Sequence, residues 1–312
     1  MYFPILRGRQ FELLALRECI ARGILSSQII PIVEPVKLSS TYTKTIDAFI
    51  SAKRPIAVIR NPQVGSWSKD AKKESNSTLR EIAIEQFKNE NFISSLYVTP
   101  SLSGHMTQMS AQGHKLDDII LLCNDIDNVD YYERVIGDRK PLYNIIPDKG
   151  EYRRRIRTNR VMCEDHFPKQ SRNIDYYDRE TELFSKDHLY YLEDGYKGFS
   201  DYSVVGAEYS ETGFAPYAVA IHIVYFDENN ALRIAHFVSD SNDDISDPAR
   251  KFAEAVEKLV RWNKVMQLDT VGIKAFEAAF ENQTYPGLGV VKKYSIMHHL
   301  ELMSRYLDEE HK

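Results

Sequence analysis

The sequence predicts an α/β protein built as a (β/α)8, TIM-like barrel, and three observations predict it. Eight short apolar, β-branched runs recur along the first 206 residues. Most are apolar on both alternating faces, as a parallel strand covered on both sides requires. Segments with apolar residues three and four apart separate them, so each run and its follower read as one βα unit with a right-handed crossover. An open doubly wound sheet is the structural alternative. The count of eight, and the lack of a glycine-rich phosphate loop after the first run, favour the closed barrel.

In chain order the runs are YFPIL (2 to 6), IIPIVEPV (29 to 36), PIAVIR (55 to 60), LYVTP (96 to 100), IILLC (119 to 123), LYNIIP (142 to 147), RVMC (160 to 163) and YSVVG (202 to 206). After the first run, Leu13, Leu16, Ile20 and Ile24 share a helical face while Glu12, Glu18 and Arg22 point away from it. Residues 40–52, 78–92, 104–112, 129–136 and 174–192 supply later helices, and 149–159 has room for a turn or two. Beyond 206 the pattern changes. YAVAIHIVY (217 to 225) and ALRIAHFV (231 to 238) flank the polar turn DENN and predict a β-hairpin. A helix should start at Pro248 with Asp247 as its N-cap, and two more close the chain around the breaker TYPGLG. The organisation expected is one barrel domain over 1–312: eight βα-like units in 1–206, a hairpin insertion in 207–246 and C-terminal helices in 247–312.

Composition excludes several classes. With 43% apolar residues, 40 Lys+Arg and 45 Asp+Glu, the chain is an ordinary globule of net charge -5, neither disordered nor uniformly basic. Cys19, Cys123 and Cys163 are too few and too scattered for a disulfide scaffold or a zinc site, and read as reduced thiols of a cytoplasmic protein. No signal-peptide layout and no apolar run of membrane-spanning length is present, so no membrane partner is expected.

In a parallel barrel the site lies at the carboxyl ends of the strands. That rule nominates Arg7, Glu34, Arg60 with Asn61, Thr99, Asn124 with Asp125, Asp148 with Lys149, Glu164 with Asp165 and His166, and Glu208. Glu34, Asp125, Asp148 and Glu164 are the candidate acid/base or metal groups, since converging carboxylates suit a hard divalent cation such as Mg²⁺. His166, whose ordinary pKa lies near neutrality, is a candidate general acid or base. Arg7, Arg60, Lys149 and Arg154 are the candidate phosphate-binding groups. The run KGEYRRRIRTNR (149 to 160) carries six basic residues against one acidic, so Arg153, Arg154, Arg155 and Arg157 could clamp phosphates or single-stranded nucleic acid, or serve as a solvated helical face. Two weaker patterns carry no site. His222 and His236 lie on the two hairpin strands, where a shared face depends on the turn; DSNDDISD (240 to 247) lacks the glycine and closing glutamate of a calcium loop.

The blocks YFPILRGRQFELLALRE, IIPIVEPVK, EDHFPKQSRNIDY and GFSDYSVVGAEYSETGFAPYAVAIHIVYF followed by HFVSDSN, spanning residues 2 to about 242, resemble the bacterial and phage family called beta-protein-like, most specifically at the hairpin. The resemblance implies a phage-related or antiphage-defence setting with a nuclease-like neighbour protein as partner. It carries over no catalytic residue. The functional expectation is binding or processing of a phosphate-bearing ligand, a nucleotide or nucleic acid, at the barrel mouth, with metal-dependent phosphoester hydrolysis as the enzymatic form. The alternative is a non-catalytic module that holds a partner through the hairpin and the C-terminal helices.

Overall fold

A computed structural model describes residues 1–211 and 216–310. By density of contacts the chain divides into two compact units, one formed by Met1–Leu13, Ser27–Asp165 and Asp187–Tyr202, the other by Leu14–Ser26, His166–Lys186 and Ser203–Lys312.

The first unit is the barrel. In chain order come β1 (Ile5–Leu6), α1 (Gln10–Ala21, which from Leu14 onward belongs to the second unit), β2 (Ile32–Val33), α2 (Ser40–Ser51), β3 (Ile56–Ile59), α3 (Trp67–Asp70), α4 (Ser77–Gln86), β4 (Phe92–Tyr97), α5 (Leu102–Ala111), β5 (Ile119–Leu122), α6 (Val129–Val135), β6 (Tyr143–Ile146), α7 (Gly150–Arg155) and β7 (Arg160–Cys163). After β8 (Thr181–Ser185), which belongs to the second unit, come α8 (Asp187–Tyr190) and the last barrel strand, β9 (Gly198–Ser200). The sheet runs β1-β2-β3-β4-β5-β6-β7-β9, all parallel. A Tyr2–Phe199 bridge returns it to the first strand, with Phe3 N–H donating to the Phe199 carbonyl at 2.9 Å. Closure removes both sheet edges, so every strand is covered on two faces and can be apolar throughout.

The eighth strand differs from expectation. YSVVG does not pair in the sheet; Ser203–Val205 form a 3-10 turn that Ser203 enters at φ 52°. The preceding Gly-Phe-Ser serves instead, because the closing strand runs so near β1 that a Cβ on Gly198 would lie 2.7 Å from the Met1 carbonyl oxygen and from the Phe3 ring. Only glycine fits there. The helix expected over 174–192 is also absent: a 3-10 turn (Asn173–Tyr176), β8 and α8 replace it.

The second unit holds a three-stranded antiparallel sheet, β10 (Ala220–Phe226), β11 (Leu232–Val238) and β8, in the order β10-β11-β8. The DENN turn forms as expected, Asp227 Oδ1 accepting the Asn229 and Ala231 N–H groups at 2.9 Å. The helices α9 (Pro248–Met266), α10 (Val271–Glu281) and α11 (Leu288–Glu310) cover one face, with Ile221, Ile223 and Phe237 packing among Phe252, Leu259 and Phe276. Asp247 caps α9 through the Arg250 N–H with proline at the first helical position. α10 and α11 approach so closely that a Cβ on Gly272 would lie 2.3 Å from the Tyr294 carbonyl oxygen. Among the described residues no helix is long and apolar enough to cross a membrane, and Cys19, Cys123 and Cys163 are unpaired and buried.

Candidate functional site at the barrel mouth

Side chains two apart on each strand point into the barrel. Ile5 of β1, Tyr97 of β4, Leu122 and Asn124 at β5, Ile145 and Pro147 at β6, Cys163 and Asp165 at β7, and Tyr202 after β9 therefore line one cavity of about 160 Å³, together with Lys149 and Glu164. It opens at the carboxyl ends of the strands, where the barrel argument places a site.

Beneath the rim sits a fixed charge network. The fully buried Glu34 carboxylate accepts from the Arg7 guanidinium, from the Tyr97 hydroxyl at 2.8 Å and from the Gln63 backbone N–H at 2.7 Å. Arg7 lies 5.4 Å from the centre of the Tyr202 ring. Burial works against the Arg7 charge, but Tyr97, Glu34 and Tyr202 outweigh it and its pKa is raised. Burial first, then the neighbouring Glu34, pushes the Tyr97 phenol up; burial does the same to Tyr202. The Cys163 thiol is pushed up to about 12, again chiefly by burial. The cavity floor is thus made of protonated hydroxyls and a protonated thiol at neutral pH, groups that can position a ligand but do not exchange protons with it. Lys149, exposed at the rim, makes no ion pair among the described residues.

The nominated residues separate into three sets. Lys149 and Glu164 line the cavity, and Arg7 and Glu34 support it from below. Asp125, Asp148 and Arg154 stand near strand ends without lining it. Asp125 accepts from the Asp127 N–H at 3.1 Å and from Asn128 at 3.2 Å, opening a 3-10 turn. Asp148 accepts from the Tyr196 hydroxyl at 2.7 Å and pairs with Arg153 at 3.2 Å, while Glu164 caps the Asp148 backbone N–H at 2.8 Å. Arg154 is exposed and folds back toward Gly150.

The third set lies elsewhere. Arg60 points outward into the helix layer because its parity on β3 is opposite to that of the inward-facing Asn61. His166 belongs to the second unit, its ring 5.8 Å from Phe184, and Glu208 pairs there with Lys169 at 2.7 Å. Among the described residues no three His, Cys, Asp or Glu side chains are grouped to hold a metal ion, so the four-carboxylate cation site is not assembled. Two of the six basic residues of the run are paired, Arg155 with Asp130 and Glu133 and Arg153 with Asp148, while Arg157 donates to the Arg154 carbonyl at 2.8 Å.

Sequence reasoning missed Tyr97 and Tyr202. Both fall on the inward parity of their strands, and counting in twos from Ser95 to Tyr97 and from Ser200 to Tyr202 would have found them.

Fold and cavity together define the class: a (β/α)8 barrel protein with a small polar-rimmed cavity at its mouth. No protein-family model, no curated protein and no solved structure matches the chain.

Proposed function

We propose that the barrel mouth binds the phosphate end of a small ligand, in keeping with the phage-related setting that the resemblance to the beta-protein-like family implies. One observation carries the reading: Lys149, without an ion-pair partner among the described residues, stands over a cavity at the carboxyl ends of six barrel strands. The cavity, at about 160 Å³, is smaller than the roughly 300–1,000 Å³ typical of sites that enclose a whole drug-sized molecule. It suits a phosphate on a short stem, with any nucleoside remaining outside. Asn124 and Lys149 supply donors, while the Arg7 charge is already balanced by Glu34. Glu164 and Asp165 at the same rim oppose the accumulation of further negative charge, which favours a single phosphate over a di- or triphosphate. The assigned role is binding, because the carboxylates that hydrolysis would need are engaged in caps and ion pairs.

Calorimetric titration with ribose 5-phosphate and AMP tests this. Saturable binding of both with similar affinity, weakened at least tenfold in Lys149→Ala, is expected. Lack of binding at millimolar concentration, or binding indifferent to Lys149→Ala, would sink the idea.

The alternative, a partner held by the hairpin and the C-terminal helices, meets a physical obstacle at the hairpin. One face of β10 and β11 is packed under α9 and α10, and on the other His222 and His236 lie 4.7 Å from Tyr176 between ring centres.

A further inference from the structure

On the outside of the barrel, away from the mouth, the ends of α4 and α5 flank a groove of about 1090 Å³ that contains one nominated residue, the outward-facing Arg60. Its inner end is made by Arg60. The guanidinium stacks on Phe87, 3.7 Å from the ring centre, and donates only to neutral acceptors: the Ser94 hydroxyl at 3.3 Å and the Gln112 amide oxygen at 3.5 Å. No carboxylate lies within ion-pair reach of it among the described residues. Burial accordingly lowers its pKa, with only the Tyr42 phenol acting in the other direction. Arg7, one strand-end class away in chemistry, shows the contrast, since its carboxylate partner is built in. A partly buried cation without a counter-ion is poorly compensated, and an arriving anion would pair with it.

The rest of the lining says what else the anion must carry. His114 shares the groove; burial first and then Arg60 depress its pKa, while Asp118 opposes them. Phe87, Phe92, Ile93 and the half-exposed Ile84 form apolar wall. Asp117, Asp118 and Glu90 also line the groove but make no ion pair with Arg60, and the other lining cation, Lys88, is paired with Glu85 at 2.7 Å, so the unpaired positive charge lies at Arg60, beside His114.

We propose that this groove binds a small ligand with an oxyanion head, a carboxylate or a phosphate monoester, on an apolar body. The head pairs with Arg60 and, when it is protonated, His114; the body lies along Phe87 and Ile84. An anion raises the pKa of a neighbouring imidazole, so by linkage binding tightens as pH falls through the range where His114 takes up its proton.

The test is calorimetry on the full chain with 4-phenylbutyrate and with phenyl phosphate, at pH 8 and pH 6. Saturable one-to-one binding of at least one probe, tighter at pH 6, is expected, and whichever probe binds better names the head group. Arg60→Gln should weaken it at least tenfold. Because Arg60 also packs on Phe87, Gln112→Glu provides the second variant. It supplies an internal carboxylate beside the guanidinium, and should abolish probe binding while leaving the thermal midpoint unchanged or higher. Failure of both probes to bind the parent, or binding that survives Gln112→Glu, would overturn the proposal. So would binding lost in Lys149→Ala and retained in Arg60→Gln, which would place it at the mouth.

Discussion

One buried polar cluster from each unit shows two ways of burying polar groups. The barrel unit buries a charge pair, Arg7 with Glu34, satisfied by Tyr97 and the Gln63 backbone. The second unit buries imidazoles. His222 and His236, directly opposite in the β10–β11 register, meet Nδ1 to Nδ1 at 2.7 Å, and His236 Nε2 lies 3.2 Å from Glu182. His298 contacts the Thr270 hydroxyl at 2.8 Å and the Val224 carbonyl at 2.6 Å. Ions need a full set of partners to be buried, whereas neutral imidazoles need only one or two hydrogen bonds. The barrel interior therefore depends on each member of a pair being present, and the second unit depends on its histidines staying neutral.

The largest effect should come from breaking the pair. Glu34→Leu strands a cation whose side chain is only 13% exposed, and should cost about 3–5 kcal/mol in urea unfolding. The double variant Arg7→Met/Glu34→Leu removes the orphan charge and should regain most of that loss. A cost of the single change below about 1 kcal/mol would mean that Arg7 escapes to solvent and the two units do not differ in this respect.

Acid should separate the units next. Burial, reinforced by His299 and Arg305 and opposed by the Val224 carbonyl, lowers the His298 pKa from 6.5 to about 4. Burial also lowers His236, where Glu182 opposes and Arg179 adds, and lowers His222 well below its ordinary value, with His236 and Lys292 adding. The unfolded chain then binds more protons than the folded one below pH 6.5. The stabilisation is complete above 6.5 and is lost as pH falls toward 4, by roughly 3 kcal/mol for His298 alone. Hydrogen exchange compared at pH 7 and pH 5, corrected for the intrinsic rate, should show protection falling in β10, β11 and α11 more than in β3 to β6. Equal loss in both sets of strands would end the distinction.

The barrel was legible because its signal is repeated: six of the eight apolar runs contain a barrel strand, a seventh, LYVTP, overlaps only the end of β4, and closure follows from the count. Where it failed, the reason is local. Gly198–Ser200 is three residues long and contains a glycine demanded by close approach to β1, which no apolar pattern announces. The more apolar YSVVG nearby drew the assignment away. The site was legible only by position. A strand-end rule locates Lys149 and Glu164, but it cannot tell that Arg60 faces outward, since that depends on parity at the last strand residue. Nor can it tell that Asp125 is consumed by a turn and Asp148 by Tyr196, since those partners are set by loop geometry. The shared face of His222 and His236 likewise waited on the turn length between β10 and β11.

The smallest predicted effect concerns a polar group left at the surface of the second unit, and it separates two causes that a single substitution would mix. Asp247 caps α9, its carboxylate accepting from the Arg250 N–H at 3.0 Å, and it does so from a left-handed backbone at φ 47°. Asp247→Ala loses the cap and places a Cβ without compensating hydrogen bonds at positive φ, which should cost about 1–2 kcal/mol. Asp247→Gly loses the same hydrogen bond but suits the backbone, so it should cost only a few tenths. Asp247→Asn keeps both the acceptor and the tolerance for positive φ, and should be nearly neutral. Thermal midpoints of the three variants therefore should rank Asn, Gly, Ala from highest to lowest. If glycine proves as costly as alanine, the hydrogen bond dominates and the backbone angle contributes nothing measurable. In either case the losses should remain below those from Glu34→Leu, because an exposed helix end can turn to water and the Arg7 guanidinium cannot.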